Sequence, residues 1–505
     1  MEINLDGILL VSAVVLIAAI IAARLGARIG LPSLLLFLGL GMLMGDSGLG
    51  LQFSDPDLAR ALGFGALVLI LAEGGLTTRW HDIRSSVGVA GVLATGGIFV
   101  SVALMTLFGH FVLGLDLWIA VLLGAVTSPT DAAAVFSVLR RVPIPHRLRG
   151  ALEAESGLND APTVLLVVLA SAAATGDQPQ GAGGFAGVAV MITFQLVAGG
   201  VIGIALGWVG VQILRRVALP SSGLYPLAAL VWTVFAYSVG ATLNTSGFAA
   251  VYICALLLGN AQLPHRGATR SFVEGIGWIA QIGLFIMLGL LASPNRVTLQ
   301  AVLIALAAGA VLTFVARPVS ILVVAPWFRI PLRQQAFLSW AGLRGAIPIV
   351  LATIPLSEDV AGGAFLFDVV LVFVIVSTLL QAPTLPLVAR LLRLIDEESA
   401  RDVEVEAAPL DRISADLLQV RIPKGSRLIG VEIGELRLGT QTVVSLVIRD
   451  DTPFPPTEQT RIREGDELLI VTPTTLRQHT EDRLRSLGRS GRLARWRERL
   501  EDTEN

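Results

Sequence analysis

Apolar residues fill most of the first 395 positions in long runs, and polar, Gly- or Pro-marked breaks divide them. Thirteen runs emerge, at 5–23, 31–45, 61–78, 86–112, 117–139, 150–174, 185–214, 224–240, 246–259, 271–291, 299–327, 334–355 and 363–392. Most approach the roughly 20 residues that carry a helix across a hydrocarbon core. A lipid-exposed backbone must satisfy its hydrogen bonds within the segment, so the pattern predicts an all-α polytopic bundle of about 13 transmembrane helices. An odd count places the two termini on opposite sides.

Composition agrees with the pattern: 54 % of the 505 residues are apolar and 15 % charged, against about 25 % charged in soluble domains. The net charge of −2 gives no basis for a nucleic-acid partner, and the one cysteine, Cys254, cannot form an internal disulfide. The run at 5–23 has no basic residue before it and no small-residue cleavage pattern after it, so it reads as a retained helix. Arginine separates the loops. One alternating set holds Arg24, Arg28, Arg79, Arg84, Arg140, Arg141, Arg147, Arg149, Arg215, Arg216, Arg266, Arg270, Arg329 and Arg333, and the other only Arg60 and Arg296. Basic loops stay cytoplasmic, which predicts an outer N-terminus and an inner C-terminus in a cell (inner) membrane.

Residues 396–410 read as a solvated acidic linker, with Asp396, Glu397, Glu398, Asp402, Glu404 and Glu406 against Arg401. From 411 to 475, β-rich runs at 417–422, 442–448 and 467–471 flank a short helical segment near 426–436, which predicts a small α+β domain. Residues 476–505 form an Arg-rich helical pattern, expected to be solvated or to contact a second subunit.

Charges deep in apolar runs are costly unless paired or wetted. They are Glu73, Asp131, Glu155, Asp160, Arg317 and Arg344, while Glu274 and Asp368 lie near run ends, where snorkelling or interfacial water accounts for them. At a helical rise of about 1.5 Å per residue, Glu73, Asp131, Asp160 and Arg344 reach roughly 8–15 Å from the cytoplasmic end of their runs, a shared level. In Glu155-Ser156-Gly157-Leu158-Asn159-Asp160, the i,i+4 spacing puts Ser156 and Asp160 on one helix face and Glu155 and Asn159 on the next. A desolvated carboxylate among oxygen ligands can hold a monovalent cation or a proton, the competition on which exchange runs.

Two runs contain interruptions, Thr127-Ser128-Pro129-Thr130-Asp131 and Gly342-Leu343-Arg344-Gly345-Ala346-Ile347-Pro348. Such breaks survive in a bilayer only when buried in protein or lining a cavity. They lie seven runs apart, as inverted repeats require, and Asp131 and Arg344 are placed to offset the exposed helix ends. Lys424 is the chain's only lysine and no Gly-x-x-x-x-Gly-Lys loop surrounds it, nor is there a His-Glu-x-x-His or a Thr-Val-Gly-Tyr-Gly segment. An ATP-driven pump, a zinc protease and a potassium-channel filter are disfavoured, and neither an enzyme nor a bound cofactor is expected.

Those three segments together, Thr127 to Asp131, Glu155 to Asp160 and Gly342 to Ala346, resemble the signatures of the monovalent cation:proton antiporter-1 family, the NhaP-type exchangers, over residues 1–395. The resemblance implies a homodimer, with Asp160 as carrier of the cation or proton. It implies that Asp131, Ser156 and the main chain at Thr130 ligate the ion and that Glu73 acts through water. It also implies an ion pair of Glu155 with Arg344 organised by Asn159, and one-for-one electroneutral exchange from the Asn159-Asp160 pair. Pro162 departs from the pattern and leaves ion preference open. Residues 411–475, ending in Glu464-Gly-Asp-Glu-Leu-Leu-Ile, resemble a TrkA C-terminal (RCK-C) domain, which implies regulation by an unidentified small ligand and tilts the cation towards K+ over Na+. A regulated cation channel and a non-transporting membrane sensor are the alternative readings.

Overall fold

The computed structural model describes residues 5–29, 32–46, 48–51, 53, 55–131, 134, 135, 138, 142, 144–176, 184–394, 404–410, 415–439, 441–473 and 475–490. The chain separates into a helical unit of Met1–Arg141, His146–Pro264 and Arg270–Leu394 and a second unit made chiefly of Ile395–Asn505, to which the short segments Val142–Pro145 and His265–Thr269 are also assigned.

The helical unit begins with α1 (Leu5–Ile29), α2 (Ser33–Met44) and α3 (Pro56–Thr77). α3 starts five residues before the apolar run at 61, because the Asp55 carboxylate accepts from the Leu58 N–H and Pro56 occupies the first turn. Next come α4 (Trp80–Ile83), α5 (Val87–Val92) and α6 (Ile98–Phe111), with a π turn over Leu93–Gly97 joining the last two. α7 (Leu117–Thr127) is capped by Asp116, and α8 (His146–Thr175) runs without interruption through Pro162. α9 (Gly184–Arg216), α10 (Leu224–Thr242), α11 (Gly247–Asn260) and α12 (Arg266–Leu291) follow. A second π turn, Leu312–Ala316, joins α13 (Leu299–Val311) to α14 (Arg317–Phe328). α15 (Leu332–Trp340), α16 (Ile347–Ser357) and α17 (Gly363–Leu391) complete the unit.

Among the described residues, nine helices are long and apolar enough to cross a membrane, and Ser33–Met44, Leu117–Thr127, Gly247–Asn260 and Ile347–Ser357 are shorter apolar helices. Every apolar run of the sequence contains at least one of these helices. The runs at 117–139 and 334–355 are the two that break: α7 stops at Thr127, and Ala341–Ala346 separates α15 from α16. Burial grades outward. α1 shows Leu9, Leu10, Val14, Ile17, Ile20 and Ile21 on its surface, as a lipid-facing helix does, whereas every residue of α16 from Ile347 to Pro355 is buried. Residues 127–130 and 341–346 of the two breaks are buried as well, as an interrupted backbone within a bilayer requires.

In the second unit, five antiparallel strands lie in the order β1-β2-β5-β3-β4. They are β1 (Glu404–Leu410), β2 (Ala415–Arg421), β3 (Val443–Arg449), β4 (Thr452–Phe454) and β5 (Glu467–Pro473), and α18 (Arg477–Ser490) follows. Leu418, Val420, Val447, Leu468 and Ile470 alternate inward along the strands, and Leu484 and Leu487 of α18 join the same core.

The structure corrects three expectations. Residues 404–410 are not linker but a strand in full antiparallel register with β2, from Glu404 opposite Arg421 to Leu410 opposite Ala415. Its acidic composition concealed it, because a strand with a partner satisfies its backbone whatever residues compose it. Residues 396–403 of the expected linker lie outside the described set, as does the C-terminal segment after Ser490. α18 is not a free solvated helix, since Leu484 and Leu487, 0 % and 2 % exposed, close one face of the sheet. The helical segment expected near 426–436 reduces to a single 3-10 turn, Ile433–Leu436, closed by a reciprocal Glu432–Glu435 capping box.

Candidate functional site

α7 ends because its last hydroxyls turn back on it. Thr127 Oγ1 donates to Leu123 O at 2.7 Å and Ser128 Oγ to Gly124 O at 2.6 Å, and Pro129 has no N–H with which to continue. The chain then runs extended, and the Asp131 N–H donates to Leu343 O at 2.8 Å, so the two broken segments meet through their main chains. Asp131 Oδ1 accepts from the Ala134 N–H at 3.2 Å, in the manner of a helix cap. Gly345 lies against the Asp131 carboxylate, and a Cβ there would collide with Oδ2.

Arg344 leaves the second break for the first. Its Nε donates to Thr127 O, the carbonyl at the end of α7, at 3.4 Å, and its Nη1 donates to Gly342 O. A guanidinium there offsets the negative end of α7. From α8, Asn159 Nδ2 donates to both Thr130 O at 3.2 Å and Thr130 Oγ1 at 2.9 Å, fixing the extended segment against the helix.

The ion pair differs from the sequence expectation. Glu155 is bound by Arg317, not Arg344: Arg317 Nη1 and Nη2 donate to Glu155 Oε1 and Oε2 at 2.5 and 2.8 Å, with both side chains at most 5 % exposed. Asn159 organises Thr130 rather than this pair. The reason is the π turn, which ends at Ala316 and delivers Arg317 from α14 to Glu155, while Arg344 is consumed by carbonyls that the breaks left bare. Arg317 was visible as a deep charge in the 299–327 run; its partner was not.

Asp160 is 5 % exposed, and its Oδ1 has no hydrogen-bond donor among the described residues. Asp131 is its charged neighbour. Asn159 Oδ1 is also buried without a donor. Ser156 lies one turn before Asp160 on α8 and is half-buried. Glu73 belongs to a second group. Its charged neighbours are Glu274, Arg270 and Glu153, and Asp160 is not among them. Tyr252 stands between the two groups, with Glu153 and Asp160 both in electrostatic range, and its ring packs where Gly157 has no side chain. Of the two charges at run ends, Glu274 is exposed and pairs with Arg270 at 3.1 Å, whereas Asp368 is 9 % exposed and its Oδ1 has no donor among the described residues.

The breaks, the arginine pair and the orphaned carboxylate oxygen make an oxygen-rich centre that can hold a cation or a proton. A family model described as "Sodium/hydrogen exchanger, transmembrane" matches residues 13–391. The chain belongs to the sodium/hydrogen exchanger family. A TrkA-C domain model matches residues 417–484 of this exchanger's tail. The K(+)/H(+) antiporter NhaP of Alkalimonas amylolytica is 38 % identical over 419 residues, covering 81 % of this chain and 70 % of the relative. The K(+)/H(+) antiporter NhaP2 of Shewanella baltica (strain OS223) is 31 % identical over 476 residues, covering 93 % and 81 %. The sodium proton antiporter MjNhaP1 from Methanocaldococcus jannaschii shares the fold at a TM-score of 0.63 and 19 % identity, over 75 % of this chain and 100 % of that one.

Proposed function

We propose that this exchanger is a secondary antiporter, not an enzyme, that trades one K+ (or Na+) for one H+ by alternating access with Asp160 as the carrier. The observation that carries the reading is the Asp160 Oδ1 acceptor, buried beside Asp131 at the crossing of two broken helices and left without a donor. A buried acceptor with no partner costs about 1–3 kcal/mol, a cost that a cation or a proton removes. Asp160, Asp131, Ser156 and the Thr130 main chain supply ion ligands, and Glu73 acts through water. Glu155, Arg317, Arg344 and Asn159 form the supporting network.

The charges of the centre favour one-for-one exchange. Asp131, Glu155 and Asp160 stand against Arg317 and Arg344, three carboxylates against two guanidiniums, leaving one negative charge for one proton or one cation to neutralise. Asn159 adds none. The K(+)/H(+) names of the relatives and the TrkA-C tail both favour K+. The tail holds a cavity of about 330 Å³ whose lining includes Arg437, Gln441, His479, Thr480 and Arg483, a fitting site for a small regulatory ligand. The arginine-rich loops support an outer N-terminus and a cytoplasmic C-terminus in the cell membrane, and the resemblance to NhaP-type exchangers supports a homodimer.

The test is reconstitution in sealed vesicles with a pH-sensitive dye, adding K+, Na+ and Li+ in turn. Proton movement only when a counter-cation is present, lost in Asp160→Asn, is the expected result. Conductive cation flux without coupled proton movement would replace antiport by a channel, and no flux at all in folded protein would leave a sensor.

A further inference from the structure

We propose that Thr378 and Gln381, three residues apart on one face of α17, are positioning residues that set the two buried arginines of the exchange centre. The proposal rests on the reading of that centre given above and adds residues outside it. Thr378 is 3 % exposed, and its Oγ1 donates to the main-chain oxygen of Arg344 at 3.0 Å. Gln381 is 2 % exposed, and its Nε2 donates to Thr313 Oγ1 at 3.0 Å. Thr313 lies in the Leu312–Ala316 π turn, and Arg317 is the first residue after it.

Other hydroxyls on α17 show what the default would be. Ser377 Oγ donates to Phe373 O at 2.6 Å and Thr384 Oγ1 to Leu380 O at 2.9 Å, each returning to its own helix as Ser and Thr do in apolar surroundings. Thr378 instead spends its hydroxyl proton on another segment. Its acceptor lies in the non-helical stretch Ala341–Ala346, where main-chain groups have no ladder of their own.

Gln381 acts on the other arginine. A π turn contains an extra residue, which rotates everything after it by about 100° relative to a continuous α-helix with 3.6 residues per turn. That rotation decides which way Arg317 faces. A π turn is a rare conformation that persists when surrounding structure holds it, and the buried Gln381 amide does so at Thr313. One face of α17 thus anchors the Arg344 segment and the turn that aims Arg317. Among the described residues neither side chain hydrogen-bonds Glu155 or Asp160; each acts through an arginine.

The experiment measures apparent KM for K+ and maximal rate in proteoliposomes for Thr378→Val, Gln381→Leu, Thr378→Ser and Ser377→Ala, beside wild type and Asp160→Asn. Detergent-phase thermal unfolding is recorded for each. Supporting residues around an ion site are worth about 10–100-fold in affinity. The expected result is a KM about tenfold higher in Thr378→Val and Gln381→Leu with a smaller change in maximal rate, near-wild-type behaviour for Thr378→Ser, and no KM change for Ser377→Ala. Unchanged KM in folded Thr378→Val and Gln381→Leu overturns the proposal. Equal damage from Thr378→Ser and Thr378→Val, tracking loss of thermal stability, does so as well and covers a variant that folds poorly. Persistent exchange in Asp160→Asn would instead count against the carrier reading, a result separable from the KM pattern.

Discussion

Arg317 holds Glu155 with two parallel N–H···O bonds at 2.5 and 2.8 Å, inside a helical unit where both side chains are at most 5 % exposed. Removing one partner leaves the other charged and buried, which costs about 3–5 kcal/mol. Arg317→Met is expected to lower the thermal midpoint in detergent steeply, and Glu155→Gln/Arg317→Met to recover part of the loss. A double-mutant cycle of Glu155 with Arg344 is expected to show weaker coupling than the cycle with Arg317. Stronger coupling to Arg344 would reverse the assignment.

Gly345 is where the Asp131 carboxylate lies, and a Cβ there has no space. Gly345→Ala is expected to displace Asp131 and abolish exchange. Gly283→Ala, whose Cβ would meet nothing within 4 Å, is the control and is expected to exchange normally. Full activity in Gly345→Ala would show that Asp131 can move without consequence.

One uncompensated carboxylate at the centre predicts a cation gradient at steady state that is independent of membrane potential. Sodium is the ion for this measurement, because valinomycin clamping would confound a potassium assay. A gradient that shifts with imposed voltage would mean that more than one charge is exchanged per cycle.

The tail offers a pH test outside the membrane. Asp416 is 2 % exposed at the start of β2; burial raises its pKa above the usual carboxylate value, and Arg477, 3.9 Å away, opposes the shift only partly. The folded domain therefore holds this proton more tightly than the unfolded chain. Its stability falls as pH rises from the unfolded value of 3.8 through the folded one, and the penalty is complete above that. Asp416→Asn is expected to slow hydrogen exchange across β2 at pH 7, with the difference from wild type vanishing below about pH 4. Faster exchange in the variant at neutral pH would show that the Arg477 interaction outweighs the desolvation.

Local pattern alone determined much of this exchanger. Hydrophobic run length located the helices, Pro129 and the Gly342–Pro348 segment marked the breaks, and the cost of burying charge singled out Asp131, Glu155, Asp160, Arg317 and Arg344. Each follows from what a stretch of chain can do in hydrocarbon by itself. Tertiary structure decided the partnerships. Glu155 had two arginines to choose from, and the choice lay in a π turn that begins 157 residues after Glu155 in sequence, which no apolar periodicity reveals. Nothing in the 363–392 run singles out Thr378 and Gln381; the packing of α17 gives them their acceptors. The acidic stretch at 404–410 became a strand only through its pairing with β2, and Leu484 and Leu487 became core only where a sheet lay beneath them. A residue's burial cost is a property of its neighbourhood along the chain, whereas the group that offsets that cost comes from wherever folding brings the chain back.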